Sequence, residues 1–127
     1  MSSPPSHLAI LLWRVGPERP DLAAAPFVYA AVAAAMDCEV EVHFAGDSIP
    51  LLEPGVADRL RTGRGDKTLY DFMREAAALG VRFLGCSMAL AERAAPDSPR
   101  IPEYSGGAGA AAFVRRSLDP QWRTLVF

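Results

Sequence analysis

The sequence predicts an α/β domain, a mostly parallel sheet covered by helices on both faces. Three observations carry this reading. Strand-length apolar or alternating segments recur at Leu8–Trp13, Glu39–Phe44, Val81–Gly85 and Trp122–Phe127. Helix-length segments separate them, and strands alternating with helices imply parallel strands joined by crossovers. The chain has 127 residues, 50% hydrophobic and 22% charged. That is one domain with enough apolar content for a core, and the opposite of a disordered balance.

Taken in order, residues 1–7 read as a flexible tail, with two prolines at Pro4 and Pro5 and a solvated His7, leaving 8–127 as the single domain. Leu8–Trp13 is a continuous apolar run, suited to a strand buried on both faces. Gly16, Pro17 and Pro20 break the chain after it. Asp21 is the expected N-cap of a helix running to about Met36. Pro26 marks either its true start or a distorted first turn. Leu22, Phe27, Val28, Ala31, Val32 and Ala35 form its expected apolar face. Glu39–Phe44 alternates strictly, placing Val40, Val42 and Phe44 on one side. Gly46–Ser48 ends that strand, and Ile49–Leu60 reads as an apolar patch and a short helix broken by Pro50, Pro54 and Gly55.

Thr62–Lys67 is a glycine-containing turn, and Thr68 caps a helix over Leu69–Leu79. Leu69, Phe72, Met73, Ala76 and Leu79 share one face of it, and Gly80 suits the residue after the helix end. Val81–Gly85 is the third strand, and Met88–Arg93 a helix. Ala95–Ser105 carries three prolines and reads as loop, with an extended piece at Arg100–Ile101. Gly106–Leu118 is a helix of small residues, its last turn holding Arg115 and Arg116 where the helix dipole favours them. Trp122–Phe127 is the final strand.

Composition narrows the function. The formal charge of −2 argues against a nucleic-acid-binding module, which shows a basic stripe. Two cysteines are too few for a disulfide scaffold or a zinc site. The N-terminus lacks a charged n-region, and no segment approaches the ~20 apolar residues of a membrane span. A soluble cytoplasmic protein without metal or cofactor is the expectation.

Cys86 is the sharpest feature. It follows a buried-type strand and precedes a helix, at the carboxyl end of the sheet where open α/β folds bind ligands. Amide N–H groups and the dipole there favour a thiolate, and Ser87 adds a hydroxyl or a cap. The competing reading is a small buried hydrophobe. Cys38 sits at the opposite end of the sheet and is expected neither to reach Cys86 nor to act. His43 is expected as a hydrogen-bonded core histidine facing the other helical layer, with a general base beside Cys86 as the less favoured alternative. Gly63–Thr68 fails the phosphate-loop pattern. Gly107–Ala112 fits only part of a dinucleotide fingerprint, with no clear strand before it; its small residues suit close helix packing. Asp21, Asp47, Asp58 and Asp66 form no obvious acid–base pair, and no Ser-His-Asp order is persuasive.

Together, Glu41–Asp47 with Leu51-Leu52, Tyr70–Phe72 through Gly80–Phe83, Gly85–Leu90, and the closing stretch Ile101–Glu103, Gly109–Val114 and Trp122–Phe127 resemble the DsrE/DsrF-like family of small sulfur-relay proteins. The resemblance implies a three-layer α/β/α sandwich around a mainly parallel five-stranded sheet. It also implies a homo-oligomer, trimer or hexamer, and a cysteine at the position of Cys86 that carries sulfur as a persulfide. On this reading Cys86 is the catalytic residue of a sulfur carrier or sulfurtransferase, exchanging sulfur with a donor or acceptor protein. The backbone amides of Ser87 and Met88 would hold the developing anion, and Arg14 and Tyr104 are candidate substrate contacts. The loops Arg14–Pro20 and Pro96–Tyr104 would close over the site. The alternative is a non-enzymatic oligomeric protein that binds a small ligand or serves assembly, its cysteine incidental. A thiol peroxidase has little support, because no second cysteine lies near to resolve an oxidised one.

Overall fold

The computed structural model describes residues 4–94 and 97–127. Five strands, β1 (His7–Leu12), β2 (Glu39–Phe44), β3 (Arg82–Gly85), β4 (Tyr104–Gly107) and β5 (Trp122–Val126), form one sheet in the order β4-β3-β2-β1-β5. All neighbouring pairs are parallel. The helices are α1 (Pro20–Ala35), α2 (Leu69–Ala78), α3 (Ser87–Arg93) and α4 (Ala110–Leu118), with 3-10 segments Gly46–Leu52 and Ala57–Arg59 between β2 and α2. The architecture is the expected three-layer α/β/α sandwich.

Strand periodicity decides what each layer touches, because alternate residues point to opposite faces. Val40, Val42 and Phe44 are buried under α1 and α2. The rings of Phe27, Phe44 and Phe83 gather there at centroid distances of 5.3–6.0 Å, and Met73, Leu69 and Leu51 complete the core. The other face carries Glu41 and His43, covered by α4, whose Phe113 ring meets His43 edge-on at 5.4 Å. α2 forms as expected. Thr68 Oγ1 accepts from the Asp71 N–H at 3.2 Å, and the Asp71 carboxylate accepts from the Thr68 N–H at 2.9 Å, so two first-turn amides are satisfied reciprocally.

Several expectations are corrected. His7 belongs to β1 and not to a solvated tail: its Nε2 lies 3.0 Å from the Glu39 carboxylate and its ring 4.8 Å from that of Trp122. The part of the expected tail at Met1–Ser3 lies outside the described residues. The N-cap position of α1 is Arg19; Asp21 is in the first turn, its carboxylate held by the Arg19 guanidinium at 2.8 and 3.0 Å. The helix runs through Pro26, which is buried with Ala23, Ala24, Phe27 and Ala30, while Leu22 and Val32 are exposed. Among so many alanines the larger residues mislead, because small side chains let the helix lie close to the sheet. Leu79 is the exposed C-cap of α2. The fourth strand is Tyr104–Gly107, not Arg100–Ile101, and α4 starts at Ala110, not Gly106. Tyr-Ser-Gly-Gly has little intrinsic strand preference and is held by its ladder to β3. A strand therefore does precede Gly107–Ala112.

The turn after β2 is bound to the end of β1. Ser48 Oγ donates to Leu12 O at 2.9 Å, and the Asp47 N–H donates to Trp13 O at 3.0 Å. Gly46 makes this possible with φ +52°, and a Cβ there would lie 2.5 Å from Trp13 O. We therefore expect Gly46→Ala to cost about 2 kcal/mol in urea unfolding, from strain and steric conflict together. Gly63 has φ +78° but open space around it, so Gly63→Ala should cost only about 1 kcal/mol. Equal costs would contradict this packing argument.

Candidate functional site at the carboxyl edge of the sheet

Cys86 stands at the end of β3, between the ends of β2 and β4. Its N–H donates to Phe44 O at 2.8 Å, its carbonyl accepts from the Leu90 N–H at 2.8 Å, and the Ala108 N–H donates to Gly85 O at 2.8 Å. Gly85 leaves no room for a side chain. A Cβ there would lie 2.8 Å from Leu90 Cδ1 and 3.2 Å from the Tyr104 ring. Cys86 is half-buried and is the N-cap residue of α3. The amides of Ser87 and Met88 open that helix and belong to its first turn, which has no intrahelical acceptor for them.

The cysteine opens on two cavities of contrasting chemistry. One, about 190 Å³, carries the charged side chains of Arg14, Asp47, Glu92 and Arg93 beside Trp13 and Met88. Asp47 there sits between two guanidinium groups, 3.8 Å from Arg14 and 3.6 Å from Arg93. The other, about 210 Å³, is apolar, with Leu11, Ala108, Phe113 and Val114 beside Trp13 and His43. A broader open recess of about 800 Å³ lies at the amino end of β3, near Asp71, Arg74 and Arg82. Parallel sheets bind ligands at the carboxyl ends of strands, so the Cys86 edge is the candidate site despite the larger recess.

The expected site residues are only partly brought together. Arg14 and Met88 share the charged cavity with Cys86. Ser87 is exposed and lines neither cavity; its hydroxyl lies where a Cβ on Gly107 would approach within 3.3 Å. Tyr104 packs its ring beside Gly85 and also lines neither. The loop expected to close over the site lies elsewhere in its described part. Ser98–Arg100 borders a separate cavity of about 260 Å³ with Ile49, Pro50 and Leu52, and the Ile101 N–H donates to Leu52 O at 2.9 Å. Pro96 is outside the described residues. Cys38 lies between α1 and β2, at the opposite end of the sheet, and both cysteines are free.

His43 is buried as expected, 3% exposed, with Nε2 3.0 Å from Oε1 of Glu41. It also lines the apolar cavity with Cys86. Glu41, 4% exposed, was not recognised from the sequence. Its carboxylate accepts two bonds from the Arg116 guanidinium at 3.2 Å each, and Arg82 lies 3.6 Å away. Arg116 thus answers a buried charge as well as a helix end, and it stacks 4.4 Å from the Trp122 ring. The available signal was the Glu-x-His spacing on one strand face; the arginine 75 positions away had none. Burial opposes the Glu41 charge, but hydrogen bonds from Arg116 and His43 outweigh it and hold the carboxyl below its usual range. For His43 burial dominates. It outweighs the hydrogen bond and charge of Glu41, Arg116 and Arg82 add to it, and protonation is pushed below the usual histidine range.

No group of three or more metal-ligating side chains occurs among the described residues, and none of their helices is long and apolar enough to cross a membrane. An open parallel sheet with a cysteine at its carboxyl edge and a buried carboxylate–imidazole pair beneath it defines a class of small α/β domain with a thiol-centred cleft. Within that class the chain belongs to the DsrE/DsrF-like family, whose model matches residues 8–127; the family is generally associated with sulfur relay. Solved structures share the fold, among them the two that follow. The ychN protein from E. coli is 12% identical with a TM-score of 0.74, covering 97% of this chain and 99% of its own. MTH1491 from Methanobacterium thermoautotrophicum, described as a protein of unknown function, is 18% identical with a TM-score of 0.67, covering 95% and 98%. No curated protein matches the chain in sequence.

The two perturbed groups act on stability with the same sign. A histidine whose folded value is depressed binds its proton more readily when unfolded, so stability falls as pH drops below the ordinary value of 6.5. Glu41, with a depressed folded value, stabilises above the ordinary value of 4.5, and that contribution is lost as pH falls further. The unfolding midpoint should therefore decline on acidification from near neutrality. His43→Gln should flatten the first part of the decline, which thermal melts across pH 7 to about 5 will read.

Proposed function

We propose that the protein is a sulfur carrier or sulfurtransferase working through Cys86. The observation that carries the reading is the position of this half-buried cysteine at the carboxyl edge of the sheet, opening on two cavities at once. Family membership supports it. The Cys86 thiolate attacks the outer sulfur of a donor hydropersulfide. A new S–S bond forms to Cys86, the donor's S–S bond breaks, and the donor leaves as a thiolate that takes up a proton. An acceptor thiol then removes the outer sulfur and regenerates Cys86. Both steps are thiolate attacks on sulfur and involve no net oxidation. The first-turn amides of Ser87 and Met88 offer donors to the anion, and Arg14 and Met88 are the contacts on the charged side. A protein acts as donor or acceptor.

Intact-protein and peptide mass spectrometry after exposure to a persulfide donor should find one added sulfur atom on Cys86. The adduct should persist in Cys38→Ala and vanish in Cys86→Ala. Absence of the adduct with every donor would favour the second reading, a binding protein with an incidental cysteine, for which the apolar cavity is the supporting feature.

The working unit in this proposal is a homo-oligomer, a trimer or hexamer, in the cytoplasm. Leu22, Tyr29 and Val32 on α1 and Met36 at its C-cap are exposed at spacings of seven, three and four, which places them along one stripe, and Leu125 and Val126 are exposed on the edge strand β5. Apolar surface of this kind suits subunit contact. Sedimentation at micromolar concentration should show the assembly, and Val32→Glu should shift it toward monomer. A wild-type monomer would contradict the idea.

A further inference from the structure

We propose that the apolar cavity beside Cys86 seats the sulfur acceptor, a low-molecular-weight uncharged thiol, and that His43 is the base that takes its proton. The proposal rests on the sulfur-carrier reading of Cys86 and adds to it a substrate class and a catalytic residue.

Three observations converge. First, His43 and Cys86 line the same cavity, yet no hydrogen bond joins them among the described residues. Second, the imidazole has one nitrogen committed and one free. Nε2 is engaged by Glu41, while Nδ1 has no hydrogen-bond partner among the described residues. The residue is only 3% exposed, and it borders this cavity. With Nε2 donating to the carboxylate, Nδ1 presents a lone pair. Third, the remaining walls are almost wholly apolar, from Leu11, Ala108, Phe113 and Val114. Burying a charge against them would be costly. The 210 Å³ of space corresponds to about seven water volumes, room for a thiol of roughly half a dozen non-hydrogen atoms.

The chemistry separates acceptor from donor. A hydropersulfide loses its proton more readily than an alkyl thiol, so the thiol is the partner that needs a base. The acceptor R–SH gives its proton to Nδ1, and R–S⁻ attacks the outer sulfur of Cys86–S–SH. The R–S–SH bond forms, the S–S bond to Cys86 breaks, and Cys86 leaves as thiolate. The proton on His43 passes to the departing thiolate or to solvent, and nothing is oxidised or reduced overall. Glu41 is a positioning residue: it fixes the tautomer and stabilises the transient imidazolium. Hydrogen bonds from Arg116 of α4 and from His43 keep Glu41 ionised, Arg82 of β3 lies 3.6 Å from the same carboxylate, and among the described residues Glu41, Arg116 and Arg82 are the charged groups that act on the imidazole. The depressed protonation range of His43 keeps it in the basic form at neutral pH.

Two measurements test this. In Cys86→Ala protein, which cannot carry sulfur, 1-propanethiol should shift the NMR resonance of His43 Nδ1, and 2-mercaptoethanesulfonate should not. No shift with propanethiol, or equal shifts with both, would overturn the cavity assignment whatever becomes of sulfur transfer. In protein loaded with sulfur at Cys86, propanethiol should discharge the persulfide about tenfold or more faster than in loaded His43→Gln. The deficit should shrink with 2,2,2-trifluoroethanethiol, which gives up its proton more easily. A deficit equal for both thiols, or none, would overturn the role of His43. If Cys86 takes up no sulfur while the resonance still shifts, the carrier reading fails and the acceptor-shaped cavity stands.

Discussion

The buried charge of Glu41 governs how the second face of this sheet is closed. A carboxylate 4% exposed on a central strand is unfavourable unless it is paired and hydrogen-bonded. Arg116 meets that need with two hydrogen bonds, and Arg116 belongs to α4. α4 itself contributes no fully buried residue to the fold. Its seat over β1, β2 and β5 depends on the arginine fork, the stacking of that arginine on Trp122, and the edge-on contact of Phe113 with His43. The same helix provides Ala110, Phe113 and Val114 as walls of the apolar cavity at Cys86. One electrostatic requirement thus places the helix that shapes half of the site.

The opposite half is organised by backbone contacts. The turns after β1 and β2 press together where Gly16 and Gly46 leave no side chain in the way. A Cβ on Gly16 would lie 2.4 Å from Asp47 O, as close as the Gly46 conflict with Trp13. Asp47 is brought beside Arg14 and Arg93 by this approach. Cys86 stands between a charged wall and an apolar one, with Trp13 bordering both cavities.

Legibility followed the strength of the local signal. The strict alternation of Glu39–Phe44, the Thr68 cap with Asp71, and the strand–cysteine–helix order at Val81–Arg93 were readable because neighbouring residues determine them. The strand Tyr104–Gly107 was missed because its residues have little preference of their own and pair only when β3 offers an unsatisfied edge. The buried face of α1 was misjudged because an alanine-rich helix has little contrast between its sides. Of the candidate residues read from strand ends and loops, Arg14 and Met88 stand beside Cys86 in one cavity, whereas Ser87 and Tyr104 line neither cavity.

By itself the sequence determined the α/β class, the parallel crossovers and the placing of one cysteine at the carboxyl edge, since these follow from periodicities of a few residues and the right-handed geometry of β-α-β units. Only the tertiary structure decided that Arg116 joins the buried pair of Glu41 and His43 in one network and that its imidazole shares a cavity with Cys86. Those side chains come from three distant stretches of chain. Their meeting depends on which helix crosses which face of the sheet, and no local pattern encodes that choice.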